Sequence, residues 1–345
     1  MTPEILRAAL AQVKYPGFSR DIVSFGLVKD IHVHGSDVEV HLTLTTADEK
    51  IPAQIRADAQ QALLAVPGVG SVDVKIDLQA PPQPTGAVGP ARIEGVKHII
   101  AVASGKGGVG KSTVAANLAL ALAQTGAAVG LCDCDLYGPS IALMFGGANE
   151  RPTADDEDRI VPIERYGLKL MSMGFLLDDA SPAVLRGPMV TRYTQQFLRQ
   201  VAWGRLDYLI LDLPPGTGDI QLTIVQTVAL AGTVVVTTPQ EVALIDARKA
   251  VTMFSKTSVP ILGIVENMSY FLSPGDGRRY DIFGSGGGGR EAARLRVPLL
   301  GQVPIEMEIR ESGDTGRPAV DKFPRSATAQ IFREIAQKVR QRVEK

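Results

Sequence analysis

The sequence predicts an α/β domain built on a mostly parallel sheet with helices on both faces, preceded by a small α+β domain. Three observations point there. Six apolar runs, 97–103, 128–133, 206–213, 232–238, 260–265 and 298–303, are separated by helix-length segments, and continuous apolar strands belong to parallel sheets buried on both faces. Directly after the first run comes Gly105-Lys106-Gly107-Gly108-Val109-Gly110-Lys111-Ser112, which satisfies the phosphate-loop pattern G-x-x-x-x-G-K-[ST]. Ahead of both lie shorter, alternating patterns, set off by a proline- and glycine-rich segment.

Composition narrows the class. At 345 residues and 45% apolar, the chain is long enough for two domains and a sizeable core. A net charge of −1 without a polybasic block argues against nucleic acid as a partner. The longest apolar stretch, 115–131, is broken by Asn117, Gln124 and Gly126, so no membrane span is expected. Met1-Thr2-Pro3-Glu4-Ile5 has neither the basic region nor the apolar core of a signal peptide. With only Cys132 and Cys134 there is no disulfide framework, and a cytoplasmic location is expected.

The first domain is expected over 1–78. Thr2 is placed to cap a helix with Pro3 in its first turn, and Ile5, Leu6, Ala9, Leu10 and Val13 fall at helical spacing. A strand with Ile31 and Val33 on one face leads through a tight turn at Ser36-Asp37 to a return strand bearing Val38, Val40, Leu42 and Leu44. A helix over 52–66 buries Ile55, Ala59, Leu63 and Val66, and a closing strand alternates Val72, Val74 and Ile76. The result is a sheet with helices on one side. That turn would set His32 opposite His41 with His34 next along the same polar face. Three imidazoles so placed could ligate Zn²⁺ or iron, although solvated surface histidines are the plainer reading. Residues 79–95 read as an extended, mobile tether, and 96–345 as the larger domain.

In the larger domain, a strand feeding a glycine loop and then a helix makes a phosphate cradle. Backbone N–H groups of residues 105–110 converge on phosphate oxygens, Lys111 reaches the β- and γ-phosphates, and Ser112, followed by Thr113, offers a hydroxyl to Mg²⁺. Tyr208-Leu209-Ile210-Leu211-Asp212 is an apolar strand ending in a carboxylate, the place for an aspartate that holds Mg²⁺ through water. Asp133 and Asp135 close another strand, and Asp135, further beyond it, is the choice to orient an attacking water. Leu213-Pro214-Pro215-Gly216-Thr217-Gly218-Asp219 follows as a loop able to sense the γ-phosphate. Cys132 and Cys134, two apart on a strand, share one face and read as buried, inert thiols. The last segment sets Ile331, Ile335, Val339 and Val343 at four-residue spacing among basic residues, a helix expected to close the core rather than lie on a membrane.

These motifs together resemble a known family. Lys106 with Lys111 in GKGGVGKS, CDCDLYGPS at 132–140, LDLPPGTGD at 211–219, TTPQEVAL at 237–244, ENMSYF at 266–271 and IFGSGGG at 282–288 are similar to the Mrp/ApbC iron–sulfur cluster carriers, MinD-like P-loop ATPases with a deviant Walker A loop. The first domain resembles the small domain of iron–sulfur assembly factors through residues 21–30 and Leu44-Thr45-Thr46. The resemblance implies a homodimer sandwiching two ATP, in which Lys106 crosses to the partner's phosphates and offsets charge developing in phosphoryl transfer. It further implies that Asn267 contacts adenine, and that the partners are iron–sulfur apoproteins or assembly factors.

The sequence departs from the family at one place. Where these carriers usually have C-P-x-C to hold a [4Fe–4S] cluster, this chain has Ser273-Pro274-Gly275-Asp276, so both ligand positions carry oxygen and no cluster ligand is assigned. The segment fits a type II turn with Gly275 at positive φ. Ala47-Asp48-Glu49 likewise stands where relatives of the small domain often carry a cysteine. Two further readings stay open: a positioning ATPase of the MinD or ParA kind, and a scaffold that binds ATP without turnover.

Overall fold

A computed structural model describes residues 2–16, 21–23, 26–45, 50–79, 90–176 and 187–344. They fall into two compact units, one ahead of residue 80 and one from residue 90 onward.

In the first unit, helix α1 (Pro3–Leu10) begins with proline in its first turn, where an absent N–H costs nothing, though the Thr2 side chain makes no cap to the backbone. Strands β1 (Val28–His34) and β2 (Asp37–Thr45) pair antiparallel, and helix α2 (Lys50–Leu64) carries the chain across to β3 (Ser71–Gln79), parallel to β2. Leu6 and Leu10 of α1 and Ile55, Ala59 and Leu63 of α2 form one core with Val38, Val40, Leu42 and Leu44.

The hairpin turn corrects the sequence reading. It is made by Gly35 and Ser36, with Gly35 at φ 67°, so that His34 faces Asp37 and His32 faces Glu39. Positive φ at the first of two turn residues suits glycine, and it outweighs the polar signal of Ser36-Asp37. The register therefore shifts by two. His32 and His41 become diagonal neighbours with ring centroids 5.9 Å apart, and His41 Nε2 lies 2.8 Å from Glu39 Oε1, with Lys75 on that same oxygen. Among the described residues no three His, Cys, Asp or Glu side chains are grouped to hold a metal ion. Ser24, Phe25 and 46–49, with Asp48, lie outside the described residues.

The second unit runs β4 (Val96–Ser104), α3 (Lys111–Ala123), β5 (Val129–Asp133), α4 (Ile141–Met144), β6 (Ile163–Arg165), β7 (Leu168–Met171), α5 (Gly187–Gln200), β8 (Leu206–Asp212), α6 (Asp219–Thr227), β9 (Gly232–Thr237), α7 (Glu241–Lys256), β10 (Ile261–Glu266), β11 (Phe271–Leu272), β12 (Arg279–Tyr280), α8 (Gly287–Leu295), β13 (Leu299–Gln302), α9 (Met307–Asp314), α10 (Ala319–Lys322) and α11 (Ala327–Val343). Its sheet has the order β13-β10-β9-β4-β8-β5-β7-β6, with every pairing parallel except that of β6. Val234 and Val236 pack among residues of α3 and α11, whereas Val235 packs with Ala247, Ala250 and Val251 of α7 and Ala292 of α8. Alternation along a strand puts these groups on opposite faces, so helices cover both sides.

The six apolar runs appear as β4, β5, β8, β9, β10 and β13. The added β6–β7 hairpin turns on Tyr166 and Gly167, at φ 50° and 76°. Helix α11 buries Phe332, Ile335, Ala336 and Val339 in the main core, so its apolar face closes the domain. Part of the expected tether belongs to this unit: Ala91 exchanges backbone hydrogen bonds with Thr227 and Ala229 at 3.1 and 2.9 Å.

Candidate nucleotide site

Strand β4 delivers the chain to residues 105–110, which turn directly into α3. Ser104 Oγ donates to the Lys106 carbonyl at 2.9 Å and closes the loop at its base. A Cβ on Gly105 would overlap the backbone of Asp246 in α7, so this glycine permits the loop to lie against that helix. Gly110 has φ 78°, and a Cβ there would overlap the Asn267 amide. The apex, Gly107 and Gly108, is exposed, while Val109 is buried and anchors the far side. The loop therefore presents its backbone N–H groups at the positive end of a 13-residue helix, an arrangement that receives phosphate.

The charged groups converge at the start of α3. Lys111 is 6% exposed, and its Nζ lies 2.5 Å from Asp212 Oδ1 and 3.2 Å from Ser112 Oγ. Asp212 ends β8 in register with Asp133 at the end of β5, so two fully buried carboxylates stand side by side. Burial raises the Asp212 pKa, and the adjacent Lys111 opposes that rise. Burial, and then the charge of Asp212, push Asp133 up to about 7.

The two aspartates have different surroundings. Asp133 Oδ2 accepts from the N–H groups of Ser140 and Ile141 and from Ser172 Oγ at 2.9, 3.1 and 3.0 Å, and its Oδ1 accepts from the Asp135 N–H at 3.1 Å. It is committed to holding the 135–141 segment. Asp212 Oδ2 is buried with no hydrogen-bond partner. An unpaired carboxylate oxygen beside the Ser112 hydroxyl is a hard oxygen donor set and fits the water shell of Mg²⁺.

The other sequence candidates are placed as follows. Asp135 is half-buried, accepts from the Gly138 N–H at 3.2 Å, and is close enough to raise the pKa of Asp212. Lys106 is half-buried, and its ammonium has no partner among the described residues. Thr113 is half-buried, its carbonyl accepting from Asn117 Nδ2 at 2.8 Å. Asn267 donates Nδ2 to the Val109 carbonyl at 2.9 Å, bracing the loop from the end of β10. In the 213–219 loop, the Gly216 N–H donates to the Ser104 carbonyl at 3.0 Å, tying that loop to the base of the phosphate loop.

Glu266 carries no role in the sequence reading. It is fully buried at the end of β10, accepting from Ser269 Oγ and Gln302 Nε2 at 2.5 and 2.7 Å and from the Gly288 N–H. It joins the strand that braces the phosphate loop to the glycine run opening α8. The signal was present, since a carboxylate closing an apolar strand is the same pattern that singled out Asp212.

Residues 95–340 match the family model described as NUBPL iron-transfer P-loop NTPase, and residues 4–75 match that of an iron–sulfur cluster assembly protein. The chain belongs to the NUBPL-type P-loop NTPase family. Its sequence is 48% identical over 338 residues to the iron–sulfur cluster carrier protein of Deinococcus radiodurans, covering 97% of this chain and 94% of that one. It is 43% identical over 348 residues to the Escherichia coli protein of the same name, covering 98% and 92%. Among solved structures, a nucleotide-binding protein of Archaeoglobus fulgidus in complex with ADP is 40% identical with a TM-score of 0.61, covering 70% of this chain and 94% of that one. MinD of Pyrococcus horikoshii with Mg-ADP is 27% identical with a TM-score of 0.57, covering 70% and 96%.

Within this NTPase fold, the residues do not fit a [4Fe–4S] cluster. Ser273 and Asp276 lie on the hairpin formed by β11 and β12. The expected type II turn is not formed: positive φ falls on Gly277, at 68°, and not on Gly275. The Gly277 N–H donates to the Ser273 carbonyl at 2.8 Å, the Ser273 N–H to the Arg278 carbonyl at 2.9 Å, and the Arg278 N–H to Asp276 Oδ1 at 3.0 Å. A four-residue span closed by the wider turn leaves Gly275 in ordinary backbone and moves the strain to Gly277. Cys132 and Cys134 are 0% and 1% exposed with sulfurs 3.9 Å apart, and hydrogen bonding to Cys132 together with burial pushes the Cys134 thiol well up. Both sulfurs are enclosed, so neither is presented to a cluster at the surface.

Proposed function

We propose that this protein is a Mg²⁺-dependent ATPase of iron–sulfur cluster delivery, acting in the cytoplasm as a homodimer on iron–sulfur apoproteins or assembly factors. Its first domain, 1–78, is of the iron–sulfur assembly type, and residues 96–345 form the ATPase, joined by 79–95. The observation that carries the reading is the Lys111–Asp212–Ser112 cluster at the start of α3, in a chain that matches both iron–sulfur family models.

In this mechanism the loop N–H groups of 105–110 bind the phosphates, and Lys111 turns from Asp212 to the β- and γ-oxygens. Ser112 and, through water, the unpaired oxygen of Asp212 would hold Mg²⁺, which would supply charge neutralisation on the phosphates. Lys106 offsets charge on the nucleotide of the partner subunit, Asp135 orients the attacking water, and Asn267 borders the adenine while bracing the loop. Release of the Lys111–Asp212 pair on binding links nucleotide to the 213–219 loop, which hangs from the same strand ends.

A second reading, a cluster-free MinD-like switch or scaffold, is favoured by the buried thiols. Phosphate release with and without Mg²⁺ tests the ATPase. Turnover in Mg²⁺ that disappears in EDTA is the expected result, and ATP binding without phosphate release would leave only the scaffold.

A further inference from the structure

The 213–219 loop leaves β8 directly after Asp212 and runs into α6, and its start is fastened more firmly than its middle. Leu213 is fully buried, and its N–H donates to the Val102 carbonyl of β4 at 3.0 Å. Pro214 is buried, while Pro215, Thr217, Gly218 and Asp219 are exposed. Two consecutive prolines have fixed φ and no N–H to give, so the loop begins stiff, and only Gly216, Thr217 and Gly218 offer donors before the helix starts. Gly216, at φ 98°, needs a glycine's freedom, and its N–H is spent on the Ser104 carbonyl.

Gln221 closes the neck of this loop. It stands in the first turn of α6, is 1% exposed, and its Nε2 donates at 2.6 Å to the Pro214 carbonyl, seven residues back. Gly218 at the helix cap has no side chain to do this. Gln221 Oε1 is buried without a hydrogen-bond partner, as is Asp212 Oδ2 at the other end of the loop. Buried acceptors left open are uncommon in folded chains, and here two of them bracket one loop. The amide is held by its donor half alone, so its acceptor half can receive an N–H of residues 216–218 when the loop moves inward.

We propose that Gln221 is a positioning residue of the 213–219 loop: by holding the Pro214 carbonyl it sets where Asp212 and the Gly216 N–H stand, and so gives the site a preference for ATP over ADP. The inference deepens the reading of the chain as an ATPase and rests on it. A γ-phosphate at the phosphate loop is an acceptor that competes with the Ser104 carbonyl for the Gly216 N–H, and ADP has no such group. That exchange separates the two nucleotides best when the loop is already held at its start, because a loop that the ligand itself must order spends the new contact on its own ordering. Pro214 and Pro215 transmit the hold: with φ fixed at both, fixing the Pro214 carbonyl fixes the approach of Gly216. The same hold acts backward through the buried Leu213 on the Asp212 carboxylate. Gln221 touches neither phosphate nor metal and acts through the loop.

The test uses the full-length protein and two variants. Gln221→Met keeps the length of the side chain and removes both amide groups, and Gln221→Asn keeps the amide but falls short of Pro214. Calorimetric titration gives the affinities for ADP and for a non-hydrolysable ATP analogue, each with Mg²⁺, and phosphate release gives kcat and KM. Wild type is expected to bind the analogue more tightly than ADP. In both variants ADP affinity stays within about threefold of wild type, whereas analogue affinity and kcat each fall at least about tenfold. Equal binding of the two nucleotides by wild type overturns the proposal, as does an unchanged affinity ratio in the variants. A parallel loss of both affinities overturns it too, since that is the mark of a side chain that only supports the fold. If Gln221→Met shows neither a thermal transition nor ADP binding, Gln221→Asn decides alone. Wild type that releases no phosphate defeats the ATPase reading, and the affinity ratio, measured without turnover, still decides the role of Gln221.

Discussion

Replacing Lys111 by alanine separates the site's electrostatics from its packing. Asp212 is fully buried and Lys111 is 6% exposed, so the variant leaves a carboxylate in the interior without its counter-charge. Breaking a buried pair from one side costs about 3–5 kcal/mol, which lowers the melting midpoint of a domain this size by roughly 10 °C. The sign with pH follows. Burial already raises the Asp212 pKa, and without Lys111 the rise grows, so the folded variant takes up a proton that the unfolded chain lacks. Its deficit against wild type is therefore smaller at pH 6 than at pH 8, and Lys111→Met with Asp212→Asn recovers most of it. Urea melts at both pH values, run beside phosphate release, measure the two effects. Hydrolysis is expected to fall at least about a hundredfold. A variant within about 1 kcal/mol of wild type at pH 8, or one that hydrolyses ATP at the wild-type rate, refutes the argument.

Other outcomes follow from the same geometry. Lys106→Gln should leave nucleotide affinity within about threefold of wild type while hydrolysis falls about a hundredfold, read by nucleotide titration and phosphate release; an unchanged rate removes the lysine from catalysis. Asp133 has its folded pKa raised from 3.8 to about 7, so its contribution to stability is full below pH 3.8 and is lost as pH rises through about 7. Urea midpoints of wild type and Asp133→Asn between pH 4 and 8 should show the steeper fall in wild type. Gly105→Ala places a methyl against the Asp246 backbone, and it should displace α7 and weaken nucleotide binding by at least about tenfold; calorimetric titration checks this. Ser273→Cys with Asp276→Cys sets two thiols on an exposed hairpin and should give the reconstituted protein a stronger visible absorbance than wild type treated alike.

Much of the nucleotide site was legible because it is local. A glycine loop between an apolar strand and a helix can be read within a dozen residues, and Asp212 announces itself by ending an apolar strand. Less was legible where a residue's role depends on a partner far along the chain. Asn267 acts on Val109 across 158 residues, Glu266 on Gly288 and Gln302, and Asp133 on Ser172. The histidine register failed for a local reason: a glycine's positive φ, and not polar composition, decided which two residues make the turn.

The linear order of residues determined the fold class, the phosphate loop, the shortage of cysteine and the family, because each rests on periodicity, spacing or residue type. The tertiary structure decided which of two strand-end aspartates is left with an unpaired oxygen and which is consumed in holding a loop. It also decided how the β11–β12 hairpin closes, with positive φ on Gly277 and not on Gly275. Burial and hydrogen-bond satisfaction are properties of surroundings, and only the folded chain brings those surroundings together.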